Sequence, residues 1–173
     1  ITGSTAECEN ATGVTYSIDA VSGATGYNWT LPTGASITNG AGTNTITVTF
    51  GTNSGNVEVT PTNSCGNGTA GSTAVTLTAT PSAAGVITGS TSECENSAGV
   101  VYSISAVTNA TGYNWTVPSG ASITSGAGTN TITVTFGTTS GNVEVTPTNT
   151  CGNGTSSNLA VSLTSSPAAT GPV

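Results

Sequence analysis

The chain has 173 residues, with seven acidic side chains and no Lys, Arg or His, which gives a formal net charge of −7. Without cationic side chains it cannot neutralise nucleic-acid phosphates, and it lacks the imidazole that general acid–base catalysis most often uses. No run of apolar residues reaches the roughly 20 that a membrane helix needs. We therefore expect no nucleic-acid partner, no direct insertion into a membrane and no enzyme activity.

The predicted elements are all β-strands, because 34% of the residues are hydrophobic and they alternate with Thr, Ser and Asn. A short leading strand is expected near Ile1. Turn signals such as Ser22-Gly23 and Asn39-Gly40 separate the strands that follow. In chain order these strands lie around residues 14–20, 27–31, 35–37, 46–50, 57–59 and 75–77, so each copy of the pattern has about seven strands.

The same pattern occurs twice at a fixed spacing of 86 residues, since Cys8 returns as Cys94 and Cys65 as Cys151. Roughly three-quarters of the aligned residues are identical, without insertion or deletion. The spacing suits a small sandwich domain better than a solenoid repeat. It predicts one domain over residues 1–86 and a second over 87–173, with residues 80–85 as a Pro-containing connector and Val173 as the start of a third repeat.

Several segments of each copy resemble a known family. They are Tyr16-Ser17-Ile18 and residues 23–38, 44–51, 54–63 and 63–69, with their equivalents in the second copy. These segments resemble a bacterial PKD-like domain, which implies tandem immunoglobulin-like β-sandwiches in a large secreted or cell-surface protein of the adhesin type. The acidic motif of the better-known PKD branch is replaced here by Trp29-Thr30-Leu31-Pro32, so the resemblance implies no metal site.

The four cysteines provide one pair per copy. No CxxC spacing is present and no His is available as a co-ligand, so the sequence favours disulfides over metal binding or redox catalysis. We predict that Cys8 pairs with Cys65 and that Cys94 pairs with Cys151. Such disulfides predict an oxidising compartment, at the cell surface or outside the cell.

Carboxylates flank the first cysteine of each copy, at Glu7 and Glu9 and again at Glu93 and Glu95. If the predicted disulfide forms, Glu7 and Glu9 come close to Asn63 and Asn67, and carboxylate and amide oxygens are ligands that Ca²⁺ prefers. A surface calcium site is therefore one hypothesis. The alternative is a set of solvated carboxylates without a cofactor.

The aromatic residues share parity with Val, Ile or Leu on their own strands, which predicts that they form the core and do not make an exposed sugar-binding surface. These residues are Tyr16, Tyr27, Trp29, Phe50, Tyr102, Tyr113, Trp115 and Phe136.

Composition and resemblance together predict a structural or adhesive repeat segment of an extracellular surface protein or fibre, acting as a rigid spacer or a filament-building module. The expected partners are neighbouring repeats of the same chain or identical chains, because no Lys is present to guard the strand edges against pairing. The alternative is a carbohydrate- or surface-binding accessory module of a secreted multi-domain enzyme, with surface glycans as its partners.

Overall fold

The computed structural model describes residues 1–167, and Val173, the predicted start of a third repeat, lies outside the described residues. The chain forms two compact units, the first from Ile1 to Ala79 and the second beginning at Thr80. We call them module 1 and module 2. Module 2 begins before residue 87 because residues 80–84 already contact it, as described below.

Each module is a sandwich of a five-stranded and a three-stranded sheet. In module 1 the larger sheet has the order β1-β8-β6-β3, and β7 pairs with the C-terminal end of β6. The smaller sheet has the order β2-β5-β4. The strands are β1 Ala6–Cys8, β2 Val14–Ser17, β3 Gly26–Thr30, β4 Ser36–Asn39, β5 Thr45–Thr49, β6 Gly55–Asn63, β7 Gly66–Asn67 and β8 Gly71–Thr78.

Module 2 repeats this topology, with a larger sheet β11-β14-β16-β9, to which β15 adds through β14, and a smaller sheet β10-β13-β12. Its strands are β9 Ser92–Cys94, β10 Val100–Ser103, β11 Gly112–Thr116, β12 Ser122–Ser125, β13 Thr131–Thr135, β14 Gly141–Asn149, β15 Gly152–Asn153 and β16 Ser157–Thr164. The predicted all-β, immunoglobulin-like class is confirmed, with eight strands per module.

The leading strand differs from the prediction. Near the N-terminus only an isolated bridge joins Thr2 to Ser17, and the strand itself is Ala6–Cys8. This strand pairs in parallel with β8, the last strand of the module, whereas all other paired strands of module 1 are antiparallel. The first and last strands of a module are therefore neighbours.

Each module has its own hydrophobic core, because the inward residues of both sheets alternate with polar residues on the outside. In module 1 the rings of Tyr16 and Phe50 meet edge to face, with centroids 6.1 Å apart. Tyr102 and Phe136 repeat this contact in module 2 at the same distance. Within residues 1–167 no helix is long and apolar enough to cross a membrane.

Candidate functional site

The cysteines of module 1 lie at opposite ends of its larger sheet. Cys8 pairs with Thr78 where β8 finishes, and we call this the exit end of the module. Cys65 lies in the tight turn that joins β6 to β7, and we call this the turn end. Module 2 has the same arrangement, with Cys94 beside Thr164 at its exit end and Cys151 in the turn between β14 and β15 at its turn end.

The length of β6 separates the two cysteines of module 1. This strand has nine residues, and its first residue, Gly55, pairs with Val75 of β8, so Cys8 lies beyond the start of β6 while Cys65 lies beyond its end. At about 3.3 Å per residue the strand alone spans roughly 26 Å. A disulfide requires Cα atoms within about 7 Å of each other. A bond between Cys8 and Cys65 is therefore impossible in this fold.

The predicted pairs Cys8–Cys65 and Cys94–Cys151 are accordingly not formed. Cys65 and Cys94 are free and exposed. Cys8 and Cys151 are the disulfide-bonded cysteines, one from each copy of the repeat. The prediction was wrong because the spacing of 57 residues between Cys8 and Cys65 does not reveal that the chain passes from one end of the sheet to the other.

The same separation removes the predicted calcium ligands. Glu7 lies in β1 at the exit end, whereas Asn67 lies in β7 at the turn end, so the structure does not bring Glu7 and Glu9 to Asn63 and Asn67. Among the described residues no group of three or more His, Cys, Asp or Glu side chains is placed to hold a metal ion. Neither the pair Glu7 and Glu9 nor the pair Glu93 and Glu95 is part of such a group.

The structure places six of the eight aromatic side chains in the two cores. Trp29 and Trp115 are 8% and 7% exposed, and each indole Nε1 donates a hydrogen bond of 2.8 Å to a backbone carbonyl of its own module. Tyr27 and Tyr113 are only partly buried, and their hydroxyls accept hydrogen bonds from the Val21 and Val107 amides. The exposed large hydrophobic residues of the described chain are Val21, Val86 and Val101, none of which is aromatic.

Two tyrosines connect the leading segment of each module to its core. The hydroxyl of Tyr16 donates a hydrogen bond of 2.6 Å to the Ser4 carbonyl, and Tyr102 donates one of 2.8 Å to the Ser90 carbonyl. Burial, with a smaller contribution from the negative charge of Glu93, raises the pKa of Tyr102 to about 12. Burial also raises the pKa of Tyr16, with a smaller contribution from the negative charge of Glu7. Both side chains therefore remain neutral hydrogen-bond donors at ordinary pH.

The predicted connector is bound to module 2. Pro81 is buried, the Ser82 amide donates a hydrogen bond of 3.1 Å to the Thr108 carbonyl, and the Ala84 amide donates one of 2.8 Å to the Thr155 carbonyl. Gly154 lies so close that a Cβ there would meet the carbonyl oxygens of Ser82 and Pro81. From the sequence we did not predict that residues 81–84 pack against module 2. The features that hinted at it were Pro81 and the constant spacing of the repeat.

Two surface depressions in the described part of the chain lack catalytic groups. In module 1 one lies between the 21–24 loop and the turn end, and in module 2 another lies between Thr91 and the 140–142 and 160–162 segments. No titratable side chain lines either of them. A general acid or base is therefore absent from both depressions.

Comparison with known proteins agrees with this architecture. The chain is similar to the I-band fragment I67–I69 of titin, with 12% identity, a TM-score of 0.55 and coverage of 94% of this chain and 63% of that chain. It is also similar to a C-terminal fragment of intimin solved with the intimin-binding domain of its translocated receptor, with 14% identity, a TM-score of 0.52 and coverage of 92% and 61%. This chain thus spans less than two thirds of either structure, and such low identities establish the fold alone. The comparison with curated protein sequences found no match.

The family comparison is more specific. The PKD-like domain family matches residues 1–75 and again residues 80–161, which together cover most of each sandwich and most of the chain. The chain therefore belongs to the PKD-like domain family and contains two of its domains.

Proposed function

We propose that this chain is a structural repeat segment of an extracellular surface protein or fibre, and that it acts as a stiff spacer between neighbouring modules. The observation that carries the proposal is the docked connector, in which Pro81 is buried and Ser82 and Ala84 donate backbone hydrogen bonds to module 2. β8 of module 1 ends at Thr78, so Ala79 alone lies between that strand and the first residue of module 2. A connection this short has few rotatable bonds, which supports a restricted joint.

The chemistry of the modules also supports a structural role. The buried residues are apolar, and no buried side-chain polar atom in residues 1–167 lacks a hydrogen-bond partner. Most outward-facing positions carry neutral side chains, as on β8, where Ser72, Thr76 and Thr78 are exposed. Surfaces of this kind repel one another weakly, so copies are able to pack side by side or end to end.

Small-angle scattering tests the stiffness. The chain is compared with a variant that carries Gly-Ser-Gly-Ser between Ala79 and Thr80, both with reductant present so that no disulfide contributes. We expect a narrow distribution of dimensions for the unmodified chain and a broader one for the variant, because a Gly/Ser segment behaves as a flexible coil. A distribution equally broad in both would refute the spacer function.

A further inference from the structure

The four cysteines are of two kinds, defined by their place in the module. Cys8 and Cys94 occupy the exit end, and Cys65 and Cys151 occupy the turn end. One cysteine of each kind, Cys8 and Cys151, is disulfide-bonded. The other cysteine of each kind, Cys94 and Cys65, is free and exposed. Each free thiol is therefore the repeat equivalent of a bonded cysteine.

The free turn-end cysteine has the same backbone as its bonded equivalent. The Cys65 amide donates a hydrogen bond of 2.8 Å to Asn63 Oδ1, and the Cys151 amide donates one of 2.7 Å to Asn149 Oδ1. The glycine that follows has φ 136° in module 1 and 137° in module 2. The turn therefore holds the Cys65 backbone in the conformation found at the bonded cysteine.

The exit-end cysteines correspond in the same way. Cys94 pairs with Thr164 in the register with which Cys8 pairs with Thr78. The residue after each cysteine donates its amide to the carbonyl of that threonine, at 3.0 Å in both modules. The backbone at the free Cys94 is thus also in place for the bond that its equivalent makes.

Neither free cysteine is able to bond with the other cysteine of its own module, because the length of the sheet separates the two kinds. From these observations we infer that Cys94 is an attachment site for another copy of this module, and that it forms a disulfide there with the cysteine equivalent to Cys65. In the same way Cys65 receives the exit-end cysteine of a different copy. Modules are then joined covalently, exit end to turn end.

Charge favours this pairing over joining two exit ends. Cys94 lies between Glu93 and Glu95, so a bond between two Cys94 residues would bring four carboxylates together. The turn around Cys65 has no charged residue from Pro61 to Thr73. Like charges that face each other disfavour a contact, so a Cys94 thiol meets less repulsion at Cys65 than at a second Cys94.

The bond forms by thiol–disulfide exchange with a low-molecular-weight disulfide as oxidant. One cysteine thiolate attacks the oxidant and forms a mixed disulfide, releasing the first small thiol. The second cysteine thiolate then attacks the protein sulfur of that mixed disulfide and releases the second small thiol. In total the two protein thiols lose two protons and two electrons, and the small disulfide is reduced to two thiols.

This inference deepens the proposed function by naming the bond between copies, and the two can fail separately. Stiffness is measured with reductant present, where the bond is absent. Disulfide formation is measured by mass, whatever the stiffness of the chain.

Two variants of the full chain, each with one free cysteine, test the inference. Cys65→Ala retains Cys94, Cys94→Ser retains Cys65, and their different masses distinguish the mixed dimer from either homodimer. Each variant alone and an equal mixture are incubated in a buffer of reduced and oxidised glutathione, then analysed without reduction by mass spectrometry and chymotryptic peptide mapping. Both substitutions are at exposed positions, and thermal unfolding confirms that each variant is folded.

We expect about tenfold more mixed dimer than either homodimer, which corresponds to a preference of about 1.4 kcal/mol. Peptide mapping should locate the new bond between Cys94 and Cys65, with Cys8 and Cys151 still oxidised. Homodimers as abundant as the mixed dimer would reveal indiscriminate oxidation of surface thiols and overturn the inference. An absence of dimers, or exchange that involves Cys8 or Cys151, would overturn it too.

Discussion

Gly89 lies directly against the ring of Tyr102, so closely that a Cβ at position 89 would overlap the ring carbons Cδ1 and Cε1. The Tyr102 hydroxyl extends from this contact to the Ser90 carbonyl at 2.8 Å. Gly3 and Tyr16 repeat both features in module 1. The glycine of the repeated Ile-Thr-Gly-Ser segment therefore lets the leading chain approach a fully buried ring.

A methyl group at this contact should destabilise module 2. For Gly89→Ala we expect a loss of about 1–3 kcal/mol in the free energy of unfolding, because the ring is held by the core and is not free to move away. Chemical denaturation followed by tyrosine and tryptophan fluorescence measures the loss. Gly85→Ala is the matched control, since nothing lies within 4 Å of its Cβ position. Equal stability of the two variants would contradict the steric argument.

Alkaline pH should weaken module 2 through Tyr102. Its pKa of about 12 in the folded chain lies above the ordinary value of 10.0, so between these values the unfolded chain releases the phenolic proton first. The stabilisation is complete below pH 10 and is lost as the pH rises towards 12. We expect the melting temperature to fall less steeply over this range in Tyr102→Phe than in the unmodified chain. Parallel curves for the two proteins would exclude the effect.

The docked connector should respond to a single methyl group. Gly154→Ala places a Cβ against the carbonyl oxygens of Ser82 and Pro81, so we expect faster hydrogen exchange at the Ser82 and Ala84 amides. Gly68→Ala is the matched control at the same position of module 1, where a Cβ makes ordinary contacts of 3.4 Å or more with Pro61. NMR or mass spectrometry measures the exchange. Unchanged protection in Gly154→Ala would show that the connector is held by other contacts.

The alternation of apolar and polar residues was sufficient to predict the main strands and the core. Ile46 and Val48 on β5 and Phe50 just after it are buried, whereas Thr47 and Thr49 between them are more exposed, as a period of two requires. The leading strand was misplaced because Ala6-Glu7-Cys8 has no such alternation, and its position depends on parallel pairing with a strand about 70 residues away. Local sequence contains little information about such a distant partner.

The cysteines show a different limit. Their number and spacing predicted disulfide chemistry, but pairing depends on which end of the sheet each cysteine occupies. That in turn depends on the direction of β6 and on the register of β1 against β8. The same geometry separated Glu7 from Asn67, so the error about the disulfide extended to the calcium hypothesis. The placement of the two cysteines at opposite ends of the sheet thus accounts for the errors in both the disulfide and the calcium predictions.

The parallel pairing of the first and last strands determines how a module carries mechanical load. When the chain is pulled from both ends, β1 is drawn towards its N-terminus and β8 towards its C-terminus. Because the two strands are parallel neighbours, tension acts as shear along their hydrogen bonds, including Thr76 to Thr5 and Glu9 to Thr78, each at 3.0 Å. Bonds loaded in shear break together, so we expect a higher barrier to forced unfolding than if they were broken one after another.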